Sequence, residues 1–227
     1  AWGMGDREQA RECYRKSLAE FEAAGDLSEI ANANYNLAFL EPGYDEPVKL
    51  IRRGLDLARQ AGNQLLEGDL LHLWADRDFD KGDFAAATQK LEQAASIFEK
   101  TGVRRKLARA WTSMGRVQRA HGHPERAIEF YRRALKLQEE LGDQQGVIQS
   151  VDIIGSAYAR MGQHRQALDY YQRAVALARK TGSPGLVNAS LANLAGCHVR
   201  LGEYGHALEL LEEVLREGPA DEVVVRI

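Results

Sequence analysis

A forty-residue repeat is the feature of this chain that most restricts its fold. The segment GHPERAIEFYRRAL at 122–135 returns as GQHRQALDYYQRAV at 162–175, and related segments begin at Gly5, Gly82 and Gly202. Small residues recur in phase with it and form an alanine column: Ala87, Ala127, Ala167 and Ala207. A repeat of this length is one unit of supersecondary structure, and it buries its apolar side only by stacking on its neighbours.

Each repeat is predicted to be a pair of antiparallel helices. After each mid-repeat glycine, small and large apolar residues follow one another at i, i+4 and i+7, which is one stripe of a helix. The segment before that glycine also carries an apolar stripe, around a small residue that we expect at the helix crossing: Ala75, Gly115, Gly155 and Ala195. Glycines between the helices and between the repeats supply the left-handed residue that ends a helix. We expect the large aromatic residues of these stripes to pack inside: Trp74, Trp111, Tyr131, Tyr158 and Tyr171.

The glycine columns predict one array of repeats over 1–217, followed by a tail at 218–227. The array is expected to begin with a half-repeat at 1–24 and to contain eleven helices in all. Five hairpins are expected after the half-repeat: 25–61, 62–101, 102–141, 142–181 and 182–217. Neither end carries a further polar helix to cover it, so we expect a segment of a longer protein or ends covered by an oligomeric neighbour.

The hairpin at 25–61 is three residues shorter than the others. Pro42 and Gly43 stop its first helix early, and Pro47 falls near the start of the next. We therefore expect helices at 28–40 and 46–61, joined by a turn at 42–45.

The repeats carry residues that resemble a known family. W-x-x-M-G at 111–115, I-G-x-x-Y at 154–158, and A-x-x-x-Y-x-x-A at 127–134 and 167–174 resemble the signature of tetratricopeptide repeats. The period is 40 residues instead of about 34, and no proline follows the second helix. The units are similar to the lengthened repeats of kinesin light chain, of the Leu-Gly-Asn and Pins adaptors, and of bacterial tetratricopeptide regulators. The resemblance implies an all-α, right-handed solenoid of antiparallel helix pairs that binds proteins or peptides.

Composition excludes several classes of partner and of chemistry. The net charge near −3 provides no basic field for nucleic acid or an anionic membrane surface. No run of about 18 apolar residues, lipidation signal or signal peptide is present. Cys13 and Cys197 match no ligand spacing, so we expect a reducing cytoplasm and no zinc site, and an excess of arginine over lysine favours a bacterial source. No nucleophile, phosphate-binding or metalloprotease motif appears, so we expect no enzyme activity, metal or cofactor.

The inner surface of such an array is the candidate binding site. In stacked helical hairpins the first helices line the inner face and the second helices face outward. The phase of the first helices predicts that this face carries the following residues: Asn32, Tyr35, Asn36, Phe39, Asp69, His72, Asp76, Asp80, Arg105, Arg109, Thr112, Arg116, Arg119, Asp152, Ser156, Arg160, Asn193 and Arg200.

Charge on this face alternates between adjacent repeats. The forty-residue offset places Asp69 opposite Arg109 and Asp76 opposite Arg116. In one interpretation these residues form ion pairs between repeats that fix the stacking register. In the other, the arginines form a stripe that binds acidic groups of a peptide. The stripe consists of Arg105, Arg109, Arg116 and Arg119. Tyr35 and Phe39 either anchor a partner or fill the gap left by the three missing residues.

These observations favour a non-catalytic module that binds a protein or peptide segment in its concave groove. We expect it to be the scaffold or sensor part of a larger bacterial regulator. One alternative is an architectural module that forms homo-oligomers through its uncapped ends. Another is an accessory domain of a multidomain enzyme or ATPase.

Overall fold

A computed structural model describes residues 4–217 of the chain, and these residues form eleven α-helices and no strand, as the repeat predicts. They group into two compact units that divide after His121, within the predicted hairpin at 102–141. The single array over 1–217 therefore stays a prediction, and the predicted tail at 218–227 lies outside the described residues.

The first unit contains six helices among its described residues. In chain order they are α1 (Met4–Ala24), α2 (Leu27–Leu40), α3 (Asp45–Gln60), α4 (Gln64–Lys81), α5 (Phe84–Lys100) and α6 (Arg104–Ala120). The second unit contains five helices over its described residues. They are α7 (Pro124–Glu140), α8 (Gln144–Arg160), α9 (His164–Thr181), α10 (Pro184–Leu201) and α11 (Tyr204–Glu217).

The shortened hairpin has nearly the predicted bounds. Asp26 caps α2 by accepting hydrogen bonds from the backbone N–H groups of Ser28 and Glu29, which fixes the start of that helix. The turn covers 41–44, one residue earlier than predicted, because Asp45 already lies in the first turn of α3. At that position its carboxylate interacts favourably with the positive end of the helix dipole.

Glycine closes the helices in the predicted columns. Gly82, for example, has a φ of +85°, a region that other residues rarely adopt, and its N–H bonds back to the carbonyl of Phe79. Asp83 then caps α5 by accepting from the N–H of Ala86. The left-handed glycine and the cap that follows it turn the chain back within two residues, so consecutive helices pack antiparallel.

The first helices of the hairpins lie next to one another. In the first unit α4 contacts both α2 and α6, whereas no comparable contact joins α3 to α5 within the described residues. In the second unit α8 likewise contacts α10. The first helices therefore approach more closely than the second helices, so within each unit they form the inner face.

The core follows the predicted apolar columns. Its largest fully buried side chains include Phe98, Ile51, Leu70 and Leu91 in the first unit, and Tyr131, Ile148, Ile154 and Leu191 in the second. The alanine column at 87, 127, 167 and 207 is buried throughout. Of the five aromatic residues expected inside, Tyr131 and Tyr171 are buried, whereas the other three are only half-buried: Trp74, Trp111 and Tyr158.

Gly155 marks a close helix crossing, and enlarging it is expected to destabilise the second unit. A Cβ atom at Gly155 would lie 2.9 Å from Cε1 of Tyr171 and 3.3 Å from Cβ of Tyr170. Gly155→Leu should therefore lower the free energy of unfolding by about 2–3 kcal/mol in urea titrations, because the crossing cannot open without loss of packing. Gly185→Ala is the matched control, since no atom lies within 4 Å of its added Cβ. Equal stability of Gly155→Leu and the parent would contradict the crossing.

Over residues 4–217, none of the helices has the length and apolar character that crossing a bilayer requires.

Candidate functional site

Two ion pairs join α4 to α6 on the inner face of the first unit. Arg116 pairs with Asp76, as the forty-residue offset predicts. Asp69, which the offset places opposite Arg109, forms its ion pair with Lys106 instead. Lys106 lies 37 positions after Asp69, which is about one helical turn before the predicted partner. The ion-pair partner of Asp69 therefore comes from the neighbouring turn of α6.

Both ion pairs are partly exposed and add little to stability. The side chains of Asp76 and Arg116 keep 37% and 41% of their surface exposed, so water screens their attraction. Exposed pairs of this kind contribute about 0–1 kcal/mol. Their main effect on the face is electrostatic, since each pair neutralises one carboxylate of α4.

His72 lies inside the packing of α4 on α6, which corrects the expectation that it lines the open face. Its side chain is 2% exposed, and its Nε2 lies 2.8 Å from Oγ of Ser113. Burial first, and then the positive charges of Arg109 and Arg116, lower the pKa of His72 to about 4, while Asp69 opposes the shift. The imidazole is therefore neutral at pH 7, and it fixes the approach of two first helices instead of meeting a partner.

Three arginines of α6 keep their charge available. Arg105 and Arg109 are exposed and Arg119 is half-buried, and none of them forms an ion pair within the part of the chain that the structure describes. Arg109 faces Tyr35 of α2 across α4. Burial and, to a lesser degree, Asp69 raise the pKa of Tyr35, whereas the guanidinium of Arg109 opposes that rise. Side chains of α2, α4 and α6 thus meet at one point.

Aromatic side chains cover the end of the same face. The guanidinium carbon of Arg116 lies 4.6 Å from the centroid of the Phe79 ring, a cation–π contact. Phe79 in turn packs against Phe84, with ring centroids 5.8 Å apart. Arg116 is therefore held by both a carboxylate and a ring, which distinguishes it from the other arginines of the predicted stripe.

The remaining predicted residues of the first unit differ in their surroundings. Phe39 is 65% exposed at the end of α2, and Arg77 donates to the carbonyl of its neighbour Ala38 at 2.9 Å. Thr112 donates to the carbonyl of Ala108 in its own helix. The others are polar surface groups: Asn36, which donates to Asn32 at 3.5 Å, and the exposed Asp80.

In the second unit the predicted residues form two separate contacts. Asp152 of α8 accepts a hydrogen bond from Ser190 of α10 at 3.2 Å, and burial raises the pKa of Asp152 while Asn193 and Ser190 oppose the rise. Ser156 lies 3.0 Å from the hydroxyl of Tyr171. Arg160 and Arg200 are exposed. On this face the uncharged side chains of Ser190 and Asn193 in α10 therefore bond to the carboxyl group of Asp152 in α8.

One buried charge network escaped the sequence prediction. Asp78 is 1% exposed and accepts hydrogen bonds from the hydroxyl of Tyr44 at 2.7 Å and from Nζ of Lys90 at 2.6 Å. Tyr44 comes from the irregular turn of the shortened hairpin, where the forty-residue offset no longer applies. The network joins this turn to α4 and α5.

Known proteins share both the repeat and the fold. A family model described as tetratricopeptide repeat matches residues 66–140 and 148–216. BtubC (BKLC) from P. vanneervenii is similar in structure, with a TM-score of 0.81 and 20% identity, over 93% of this chain and 90% of that one. A Rap protein complexed with Competence and Sporulation Factor has a TM-score of 0.67 and 15% identity, over 94% of this chain and 70% of that one.

A longer protein contains the same fold as one part. A signal transduction ATPase with numerous domains from Pyrococcus horikoshii, which has a tetratricopeptide repeat sensor, gives a TM-score of 0.69 at 18% identity. The match covers 92% of this chain but 33% of that protein. No curated protein sequence matches the chain. With the family model covering more than half of its residues, the chain belongs to the tetratricopeptide repeat family.

Proposed function

We propose that the inner face of the first unit binds an acidic segment of a partner protein or peptide. The observation that carries this proposal is the state of Arg109, which is exposed and pairs with no carboxylate in the described residues although Asp69 and Asp76 stand on the neighbouring helix. Lys106 and Arg116 already neutralise those two carboxylates. A guanidinium left in this state is suited to a carboxylate supplied by a ligand.

The charge balance of this face supports an anionic ligand. Arg105, Arg109 and Arg119 contribute positive charges that no carboxylate of the described residues pairs with, and Asp80 is the exposed acid of α4 beside them. Complementary charge of this kind raises association rates and selects partners more than it adds affinity. We therefore expect binding that weakens as the salt concentration rises.

Aromatic side chains on the same face supply the apolar part of the contact. Phe39 is 65% exposed, and Tyr35 and Phe79 are half-buried beside the charged groups. Binding sites commonly combine buried aromatic anchors with a few placed charges. The ligand that fits is an amphipathic segment with apolar side chains next to Asp or Glu.

The family and its structural relatives support an interaction or sensor role. Tetratricopeptide repeats are protein-interaction modules, the fold is generally non-catalytic, and no catalytic family matches the chain. One structural relative is a Rap protein complexed with a factor, and another is a multidomain ATPase whose repeats are a sensor. We infer that this chain serves as the scaffold or sensor part of a larger bacterial regulatory protein.

Charge reversal at Arg109 tests the site. Peptides selected from a random display library against the chain should be enriched in Asp and Glu beside apolar residues. Arg109→Glu should then weaken their binding at least about tenfold in fluorescence titrations, which corresponds to about 1.4 kcal/mol. Lys100→Glu makes the same change of sign on the outer helix α5, and should leave binding unchanged.

Two results would contradict the proposal. Selected peptides without acidic residues would remove the electrostatic basis. Equal weakening by Arg109→Glu and Lys100→Glu would show that only the total charge of the protein matters, and not this face.

Self-association is the second candidate function, and one surface of α11 favours it. Tyr204, Leu208 and Leu215 are 69%, 58% and 57% exposed. Val175, which occupies the position of Leu215 one repeat earlier, is buried. Exposed apolar stripes of this kind mark protein interaction surfaces. Light scattering over a range of concentrations separates the two candidates, since a self-associating module gains mass with concentration and Leu208→Glu abolishes the gain.

A further inference from the structure

Three side chains with metal-binding atoms meet at the turn between α10 and α11. His198 lies in the last turn of α10, Glu203 in the turn itself, and His206 in the first turn of α11. One ligand atom from each of the three lies within 4.8 Å of the others. Nδ1 of His198 is 2.6 Å from Oε2 of Glu203, and the two imidazole centroids are 5.4 Å apart.

The backbone of this turn holds the three residues in place. Gly202 closes α10 with a φ of +78°, and the N–H of Glu203 donates to the carbonyl of His198 at 2.9 Å. The N–H of Ala207 donates to the carbonyl of Glu203 at 3.2 Å, which starts α11. Because each of these bonds is part of a helix end, the positions of the three Cα atoms do not depend on the side chains.

The same turn one repeat earlier carries no such set. Forty residues before His198, Glu203 and His206 stand Tyr158, Gln163 and Gln166. These three side chains contribute a phenol and two amides, which are poor ligands for transition metals compared with imidazole and carboxylate. The repeat therefore requires only the turn geometry at these positions, and the two imidazoles and the carboxylate are additions to it.

We propose that His198, Glu203 and His206 form a binding site for a divalent transition metal, with Zn²⁺ as the ion that fits best. Two imidazoles and one carboxylate are a ligand set that zinc accepts, with bonds of about 2.0–2.2 Å, and water completes the coordination. Tetrahedral ligands at that distance lie roughly 3.3 Å apart, so the side chains must close around the ion.

The exposure of the three side chains fits that adjustment. The side chain of His198 is 11% exposed and so is held by packing, whereas that of Glu203 is 46% exposed and can rotate away from its present hydrogen bond. His206 is also exposed. The ion would thus bind first to the imidazole of His198, and the exposed side chains of Glu203 and His206 would then rotate towards it. This would link the end of α10 to the start of α11. The proposal does not depend on the acidic ligand of the first unit.

The sequence predicts no metal site by ligand spacing. The pattern H-x₄-E-x₂-H crosses a helix end, a glycine turn and a helix start, and it matches no common zinc motif. The signal in the sequence is the departure of the last hairpin turn from the preceding one at these three columns.

Zinc titration of the chain without a histidine tag tests the site. Isothermal titration calorimetry with ZnCl₂ should give one site per chain, and zinc should raise the melting temperature because it binds only the folded turn. His206→Gln and Glu203→Gln should each weaken binding at least about tenfold, since each removes one of three protein ligands. Both side chains are exposed, so both variants should fold, which circular dichroism checks.

His123→Gln is the matched control, because it removes a histidine from the hairpin turn two repeats earlier, at the position equivalent to Glu203. It should bind zinc as the parent does. Absence of zinc binding by the parent would overturn the proposal, and so would equal affinities for the parent, His206→Gln and Glu203→Gln.

Discussion

Asp78→Ala is expected to lower the free energy of unfolding by about 3–5 kcal/mol, because it breaks a buried ion pair. The Asp78 side chain is 2% exposed, and its partner Lys90 is 16% exposed. Removal of the carboxylate leaves a desolvated ammonium group without its counter-charge and the hydroxyl of Tyr44 without its acceptor. Equilibrium denaturation in urea measures the loss.

Three further variants separate the contributions to this network. Asp80→Ala removes an exposed aspartate two positions along the same helix, and should change stability by no more than about 0.5 kcal/mol. Tyr44→Phe removes one hydrogen bond and should cost about 1 kcal/mol. The double variant Asp78→Ala with Lys90→Met should lose less than Asp78→Ala alone, because no buried charge remains unpaired. Losses of equal size for Asp78→Ala and Asp80→Ala would contradict the assignment of the network.

Acidification is expected to destabilise the protein through His72. Burial, reinforced by Arg109 and Arg116, lowers the pKa of His72 from 6.5 to about 4. Below pH 6.5 the unfolded chain therefore binds a proton at His72, whereas the folded chain does so only near pH 4. The contribution of His72 to the free energy of unfolding is fully present above pH 6.5 and is lost as the pH falls towards 4. From about pH 7.5 to about pH 5 the free energy of unfolding should fall by about 2 kcal/mol from this group.

A comparison with His72→Gln isolates this contribution from that of the carboxylates. Glutamine offers a hydrogen-bonding group to Ser113 but has no proton to gain in this range. Urea denaturation at both pH values should show a loss that is smaller in His72→Gln by about 2 kcal/mol. Equal losses in the two proteins would show that His72 does not titrate on unfolding.

The helices could be predicted closely because their signals are local. The apolar spacing and the glycine columns predicted eleven helices in the described range, and the predicted bounds of α2 and α3 differ from the observed ones by one residue. The turn at Pro42 and Gly43 followed from the restricted backbone of proline and the left-handed conformation of glycine. None of these features depends on a distant part of the chain.

The inner face was predicted less well because it depends on how neighbouring helices tilt. The pair of Asp76 with Arg116 follows the forty-residue offset, whereas Asp69 reaches Lys106, 37 residues on. His72 has a phase similar to that of the half-buried Asp69 and Asp76, whereas the packing of α4 on α6 buries it fully. About one helical turn, roughly 5 Å, separates Lys106 from Arg109, the residue that the offset places opposite Asp69.

The sequence by itself determined the family, the helical hairpins and their order, since periodicity and glycine placement act within one repeat. Only the tertiary structure decided two sets of contacts that the forty-residue offset does not predict: Asp78 with Tyr44 and Lys90, and His198 with Glu203 and His206. The physical reason is that a repeat sets which face of a helix a residue occupies. The distance between two such faces depends on the crossing angle and on the size of the residues at the crossing, which no single repeat encodes.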